Sequence, residues 1–421
     1  MNIRTRFWVL SGLRWFSTGL IIPVHALLPL QRGLTVSELG AAFAVQGIVV
    51  LCLELPTGGF ADAMGRKPVF LASAVFALAS YVVLALADTL LLFAVSSALA
   101  GVFRALDSGP LNAWYVDEVI ADGGSEEVAR GISGAATVIG LSIAGGAVAA
   151  GGIVAWDPIP GVEALAVPAG VASVLALVQI VVTFVLMDED RSMRVGKVFA
   201  SVKATPGTIA EGVRLLGRSR VLRALIAVEL FWGFGMIAFE TLMPIRLSEL
   251  VDHPDEAGAI MGPVSAAAWG ISALGAACVP MMLRRWSMTS VSVALRLIQG
   301  AMLVGMGLVA GPAGLIVALL ATYAVHTAAG AIYETLLHEQ VDGDHRATVL
   351  SLASMAMQPA ASLGSVVLGA IATGMSTGFA IIVGGIVLAM AAPLFLVKEK
   401  EPTGAEVRPA RPDRVNPGSP R

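Results

Sequence analysis

Many ionisable side chains sit inside stretches that are otherwise apolar, among them Arg14, Glu54, Arg104, Asp107, Glu229, Glu240, Arg296, His326 and Glu334. A charge placed in hydrocarbon costs on the order of several kcal/mol unless it faces a cavity or a partner. Side chains kept at such a cost are candidates for binding or for carrying a proton. Asp107 is the leading one. Lipid rejects its charge, Arg104 attracts it, and at i and i+3 the two share a helix face. A moving helix or an arriving cation can tip that balance, as an ion-coupled exchanger requires. Arg104 and Asp107, with Glu240 and Glu229 as rivals, are the proton-coupling candidates.

Spacing adds a second clue. Eleven residues advance a helix by about 1100°, roughly 20° beyond three full turns. Arg14 and His25 are eleven apart, and so are Glu229 and Glu240. Each helix therefore aims two polar groups along one line, which favours a central polar cavity. Arg14, His25, Trp232, His326 and Glu334 are the candidates for lining it and touching substrate. A packing role is the other reading. Arg14 and Glu54 lie at similar depths and are expected to form a structural ion pair, and Arg104 with Asp107 could simply hide two charges.

The elements that position these groups are written in the composition. Hydrophobic residues make up 57% of the 421-residue chain and charged residues only 14%, against about 25% charged in soluble domains. The mean hydropathy is +0.82. A bilayer core needs about 20 apolar residues of helix, and lipid satisfies no backbone groups, so spanning segments are helical unless a barrel closes. The runs are too long for barrel strands. Twelve helices are predicted, at 7–30, 36–61, 67–87, 90–117, 128–155, 161–187, 222–247, 256–283, 288–310, 313–338, 347–374 and 377–397. The first run continues to Leu30, so it reads as a spanning helix and not a cleaved signal peptide. The expected architecture is all-α and integral to the membrane, with two six-helix pseudo-symmetric bundles. Residues 1–187 form the first, 188–221 a cytoplasmic linker, 222–400 the second bundle, and 401–421 a disordered cytoplasmic tail.

Basic residues are distributed unevenly. Of 27 Lys and Arg, 22 fall on the side bearing both termini, two on the other and three inside helices. The positive-inside rule places both termini in the cytoplasm, for a multi-pass protein of the plasma membrane. The halves also echo each other. At a shift of 215, Arg14 meets Glu229, Phe16 meets Phe231, His25 meets Glu240 and Pro29 meets Pro244. At a slightly larger shift Gly146 meets Gly364 and Gly151 meets Gly369. Duplicated halves with a midplane site between them are a mark of secondary transporters.

Between the second and third apolar runs lies Gly58-Gly-Phe-Ala-Asp62-Ala-Met-Gly65-Arg66-Lys67. This resembles the signature loop between helices 2 and 3 of the major facilitator superfamily of transporters, with Ala63 where that family usually has Arg. The resemblance implies a gating role for Gly58, Asp62, Gly65, Arg66 and Lys67. Arg104 looks like the helix 4 Arg that the family links to proton coupling, although the Gly that follows, Gly109, comes one place late. The glycines of helix 5 (Gly140, Gly145, Gly146, Gly151, Gly152) are similar to those of its proton-driven drug exporters, with the Pro of their pattern missing and the spacing different. Glu54-Leu-Pro-Thr-Gly58 and His345-Arg-Ala-Thr-Val-Leu-Ser351 resemble a bacterial branch of it.

What the chain lacks narrows the classes. It has no Gly-x4-Gly-Lys-Ser/Thr loop, so ATP is not expected to drive it. His338 and Glu334 are two potential ligands where a metal needs three or four. The basic loops need no nucleic acid, no cofactor is expected, and no nucleophile and base pair at enzyme spacing. The reading is a monomeric, proton-coupled secondary transporter exporting a hydrophobic or cationic drug or natural product, with small molecule, protons and lipid as its partners. Import of a metabolite is the alternative, and a non-transporting sensor a more distant one.

Overall fold

The computed structural model describes residues 1–121, 124–189, 214–217, 219–251, 253–341 and 346–398. For 55–63, 125–126 and 346–347 only the backbone is described. Most of the expected linker, and all of the tail from 401, lie outside the described residues.

Every crossing is helical. Eleven helical stretches are long and apolar enough to span a membrane among the described residues. The remaining one, at the N-terminus, is interrupted and carries Arg4, Arg6 and Arg14. The twelve spans, in chain order, begin with span 1 (Ile3–Ile21 continued by Leu27–Gln31), span 2 (Val36–Met64) and span 3 (Arg66–Leu86). Span 4 (Leu90–Asp107 and Pro110–Ala121), span 5 (Ser125–Trp156) and span 6 (Val167–Leu186) complete the first half. The second half has span 7 (Arg220–Glu240 and Leu242–Val251), span 8 (Pro254–Ala277 and Val279–Leu283) and span 9 (Met288–Leu308). Span 10 (Pro312–His338), span 11 (Arg346–Gly374) and span 12 (Thr377–Ala389 with the 3-10 turn Ala392–Leu396) close it.

The spans expected at 7–30, 90–117, 222–247 and 256–283 as unbroken helices are each broken once. Proline accounts for the first and third. Its ring removes a donor and clashes with the carbonyl four residues back. Four residues before Pro29 is His25, in the turn at Ile22–Ala26, and four before Pro244 is Glu240, the last residue of its helix. In span 4 the break falls at Ser108–Gly109. Gly109 has φ +104°, a conformation that glycine adopts without steric cost, and Pro110 then restarts the helix. The breaks in spans 1, 4 and 7 leave His25, Asp107 and Glu240 at or beside helix ends.

The internal echo appears in the packing. Gly146 of span 5 lies against Phe16 and Gly19 of span 1, while Gly364 of span 11 lies against Phe234 of span 7. Gly19 and Phe234 are themselves 215 apart. Gly151 of span 5 meets Gly262 of span 8, and Gly369 of span 11 meets Val36 of span 2. The helix 5 glycines thus serve two neighbours: Gly145 and Gly146 approach span 1, and Gly151 approaches span 8 across the two halves. Small residues let helices approach this closely without a hydrophobic driving force.

On the face opposite the termini the halves are sealed. Leu28, Leu39 and Leu165 of the first half share one buried core with Met243, Leu247 and Met261 of the second. The Gln31 amide donates to both carboxylate oxygens of Asp255 at 3.0 and 3.1 Å across the same seam.

Candidate functional site

Beneath that seal lie two adjoining lobes of cavity, about 650 and 530 Å³, which share Trp269, Ser354 and Met357 in their walls. The smaller lobe extends to Leu337 and Leu350, at the ends of spans 10 and 11 nearest the termini. The cavity therefore lies between the halves and runs toward the face that carries the termini.

The larger lobe holds Arg14, His25, Glu54, Arg104, Asp107 and Glu240. A buried ion pair there joins span 1 to span 4. Arg14 Nε donates to Asp107 Oδ2 at 2.8 Å, with the side chains only 7% and 14% exposed. Arg14 also donates to the Thr18 hydroxyl and lies 4.2 Å from the centre of the Phe103 ring and 4.7 Å from that of Trp15. Asp107 ends its helix, where the negative end of the helix dipole opposes a carboxylate. The Arg14 charge offsets that opposition.

Two expected pairings are corrected here. Arg14 does not pair with Glu54, because Asp107 occupies its guanidinium. Glu54 instead accepts from the Ser354 hydroxyl of span 11 at 2.7 Å, joining the two halves. Nor does Arg104 pair with Asp107. Asp107 bonds to Arg14 of span 1, and the Arg104 side chain stands exposed in the cavity. Its charge interacts with Glu240 of span 7, on the other half.

The eleven-residue spacings divide. Arg14 and His25 do line one lobe, but His25 sits in a turn, its Nδ1 2.8 Å from the Ile22 carbonyl and its ring stacked on Phe43. Glu229 and Glu240 line different lobes. In the smaller lobe Glu229 and Arg296, 7% and 3% exposed, interact electrostatically, and Tyr333 adjoins Glu229. Arg296 donates to Gln299 at 3.1 Å and covers the Trp232 ring at 4.7 Å. Glu334 lines this lobe as well. His326 is stacked on Trp232 at 5.2 Å and ringed by Phe239, Trp269 and Tyr323.

Sequence reasoning missed Trp269, Tyr323 and Tyr81. Tyr81 lies beside Arg14 and Thr18 and stands 215 residues before Arg296. Following the same shift one residue further would have found it.

The family model described as Major Facilitator Superfamily matches residues 7–337. The chain belongs to that superfamily. Its fold is similar to the crystal structure of the nucleoside transporter NupG, with a TM-score of 0.77 at 13% identity over 95% of this chain and 100% of that one. It is also similar to a bacterial homolog of the human lysosomal transporter Spinster in an inward-facing and occupied conformation (TM-score 0.71, 12% identity, 94% and 95% covered). A third is the human organic anion transporter MFSD10 (TETRAN), with a TM-score of 0.60 at 16% identity, covering 93% and 98%. At these identities the likeness establishes the fold. By sequence, no curated protein matches the chain.

The turn between spans 2 and 3 is held from below. Gly65 has φ +98°, and the backbone amides of Arg66 and Lys67 donate to Glu189 at 2.8 and 3.1 Å. A carboxylate on a helix N-terminus is favoured by the unpaired amides and the dipole together. Arg66 Nε lies 3.7 Å from Asp117 of span 4, and Lys67 donates to the Phe184 carbonyl at 2.8 Å. Gly58 and Asp62 fall in the last turns of span 2, and their side chains lie outside the described residues.

Proposed function

We propose that this superfamily member is a proton-coupled secondary active transporter that exports a hydrophobic or cationic drug or natural product by alternating access. The observation that carries the reading is the Arg14–Asp107 pair, buried between spans 1 and 4 on the wall of the cavity. A carboxylate whose charge depends on one arginine loses its proton when the pair closes and accepts one when helix motion separates them. Linking that step to substrate binding would exchange proton for substrate. Asp107 carries the proton in this reading, with Arg14 as its partner, and Glu240 and Glu229 remain the rivals.

The remaining assignments follow from charge and connectivity. The basic side is cytoplasmic, so both termini, the 188–221 linker and the 401–421 tail lie inside the cell at the plasma membrane. The two bundles rock about the cavity as one monomer, and the Gly58–Lys67 loop gates its cytoplasmic mouth.

Direction and coupling are tested together in inside-out vesicles containing the protein, with ethidium, a planar lipophilic cation, as the probe. Acidifying the lumen should drive ethidium inward. No accumulation under the gradient, or accumulation only when the gradient is reversed, contradicts proton-coupled export.

A further inference from the structure

Two charged groups on the wall of the larger lobe are left without a bonded partner among the described residues. Among the described residues, neither Arg104 nor Glu240 makes a hydrogen bond or ion pair, yet both line the larger lobe. Arg104 belongs to the first half and Glu240 to the second, and their charges interact across the space between them. The larger lobe therefore presents a positive and a negative group, both free to take a ligand.

This arrangement discriminates by charge. A ligand that fills the lobe displaces water from both groups. If it carries one charge, it satisfies one wall and leaves the other desolvated and unpaired, which is costly. If it carries an anion and a cation, each meets its complement. A guanidinium takes a carboxylate through two parallel hydrogen bonds, and a carboxylate takes an ammonium.

The ring systems add a shape. Tyr323 is near enough to Glu240 to feel its charge. It lies 5.4 Å from the His326 ring, centre to centre, and 5.8 Å from Trp269. Trp269 stands in the walls of both lobes. His326 lines the smaller lobe beside Trp232 and Trp269, on a wall built largely from aromatic rings. Such a wall favours planar groups, which stack or pack edge-on against it.

We infer that the cavity takes an amphoteric aromatic molecule, its anionic group on Arg104, its cationic group on Glu240 and its ring against Trp269 and His326. This rests on the transporter reading and departs from its simple cation in one respect: the substrate also carries an anionic group, because a cation alone leaves Arg104 unanswered.

Isothermal titration calorimetry on the purified full chain in detergent tests it with three compounds that share one ring: 2-naphthylalanine, 2-(2-naphthyl)ethylamine and 3-(2-naphthyl)propionate. The amino acid should bind at least tenfold more tightly than the amine or the acid. Arg104→Gln should reduce it to the affinity of the amine, Glu240→Gln should reduce it to that of the acid, and Trp269→Ala should weaken all three. The comparison in the unmutated protein depends on no variant folding. An amine that binds as tightly as the amino acid, or no measurable binding by any of the three, overturns the inference. Proton-coupled export is read separately, from gradient-driven transport, so an amine preference with intact transport sinks the amphoteric assignment alone.

Discussion

Arg14 and Asp107, 93 residues apart in sequence, meet at 2.8 Å on the cavity wall and tie span 1 to the broken end of span 4. Removing either partner strands the other in a site with little water. Arg14→Gln and Asp107→Asn should each lower stability by about 3 kcal/mol, and the double variant should recover part of that loss. Thermal melts of the four proteins in detergent check this. A double variant no more stable than the singles contradicts the pairing.

Pro29 and Pro244 set the breaks that leave His25 and Glu240 at helix ends. Replacing either by Ala restores a helical donor and removes a clash worth up to about 3 kcal/mol. Pro244→Ala should leave the melting temperature unchanged or higher while lowering transport of the probe at least roughly tenfold, about 1.4 kcal/mol of barrier. Unchanged transport would show that the break does not place Glu240 for function.

Gly262 packs on Gly151 across the two halves, and a Cβ there would meet Gly151 Cα at 2.7 Å. Gly262→Val should cost about 1–3 kcal/mol by overpacking. It should also open the sealed face, so that a cysteine at Met261 becomes reactive to a membrane-impermeant maleimide. Unchanged labelling relative to Met261→Cys alone would contradict the seal.

Glu189 caps the first amides of span 3 from the segment after span 6. Glu189→Gln should cost about 1 kcal/mol, in the range of a lost cap and dipole contact. It should also speed hydrogen exchange at Arg66 and Lys67. Exchange at the unmutated rate would remove Glu189 from the loop's support.

The spans were legible because twelve apolar runs leave lipid no other solution. Their breaks were not read, although the cause was visible: Pro29, Pro244 and the Gly109-Pro110 step stand in runs whose hydropathy does not change across them, so composition passes straight through. The polar groups facing the cavity were largely legible, since charges in apolar helices have few other places to go. Their partners were not. Arg104 and Asp107 share a face in an ideal helix, but Arg14, 93 residues away in sequence, takes the Asp107 carboxylate. Glu189 gave no local signal at all, being one acidic residue at the start of a charged segment. The match of Arg14 with Glu229 reflected real symmetry in position, while the chemistry diverged: Arg14 pairs with span 4 and Glu229 faces Arg296 of span 9.

The central claim is that Asp107 carries the coupling proton. It is tested most directly by accumulation of probe, either ethidium or the tightest-binding naphthyl compound, in proteoliposomes under an imposed pH gradient, comparing the unmutated protein with Asp107→Asn. The unmutated protein should concentrate the probe. The variant should lose gradient-driven accumulation while still exchanging labelled for unlabelled probe across the membrane. Accumulation that persists in Asp107→Asn contradicts the claim and passes the role to Glu240.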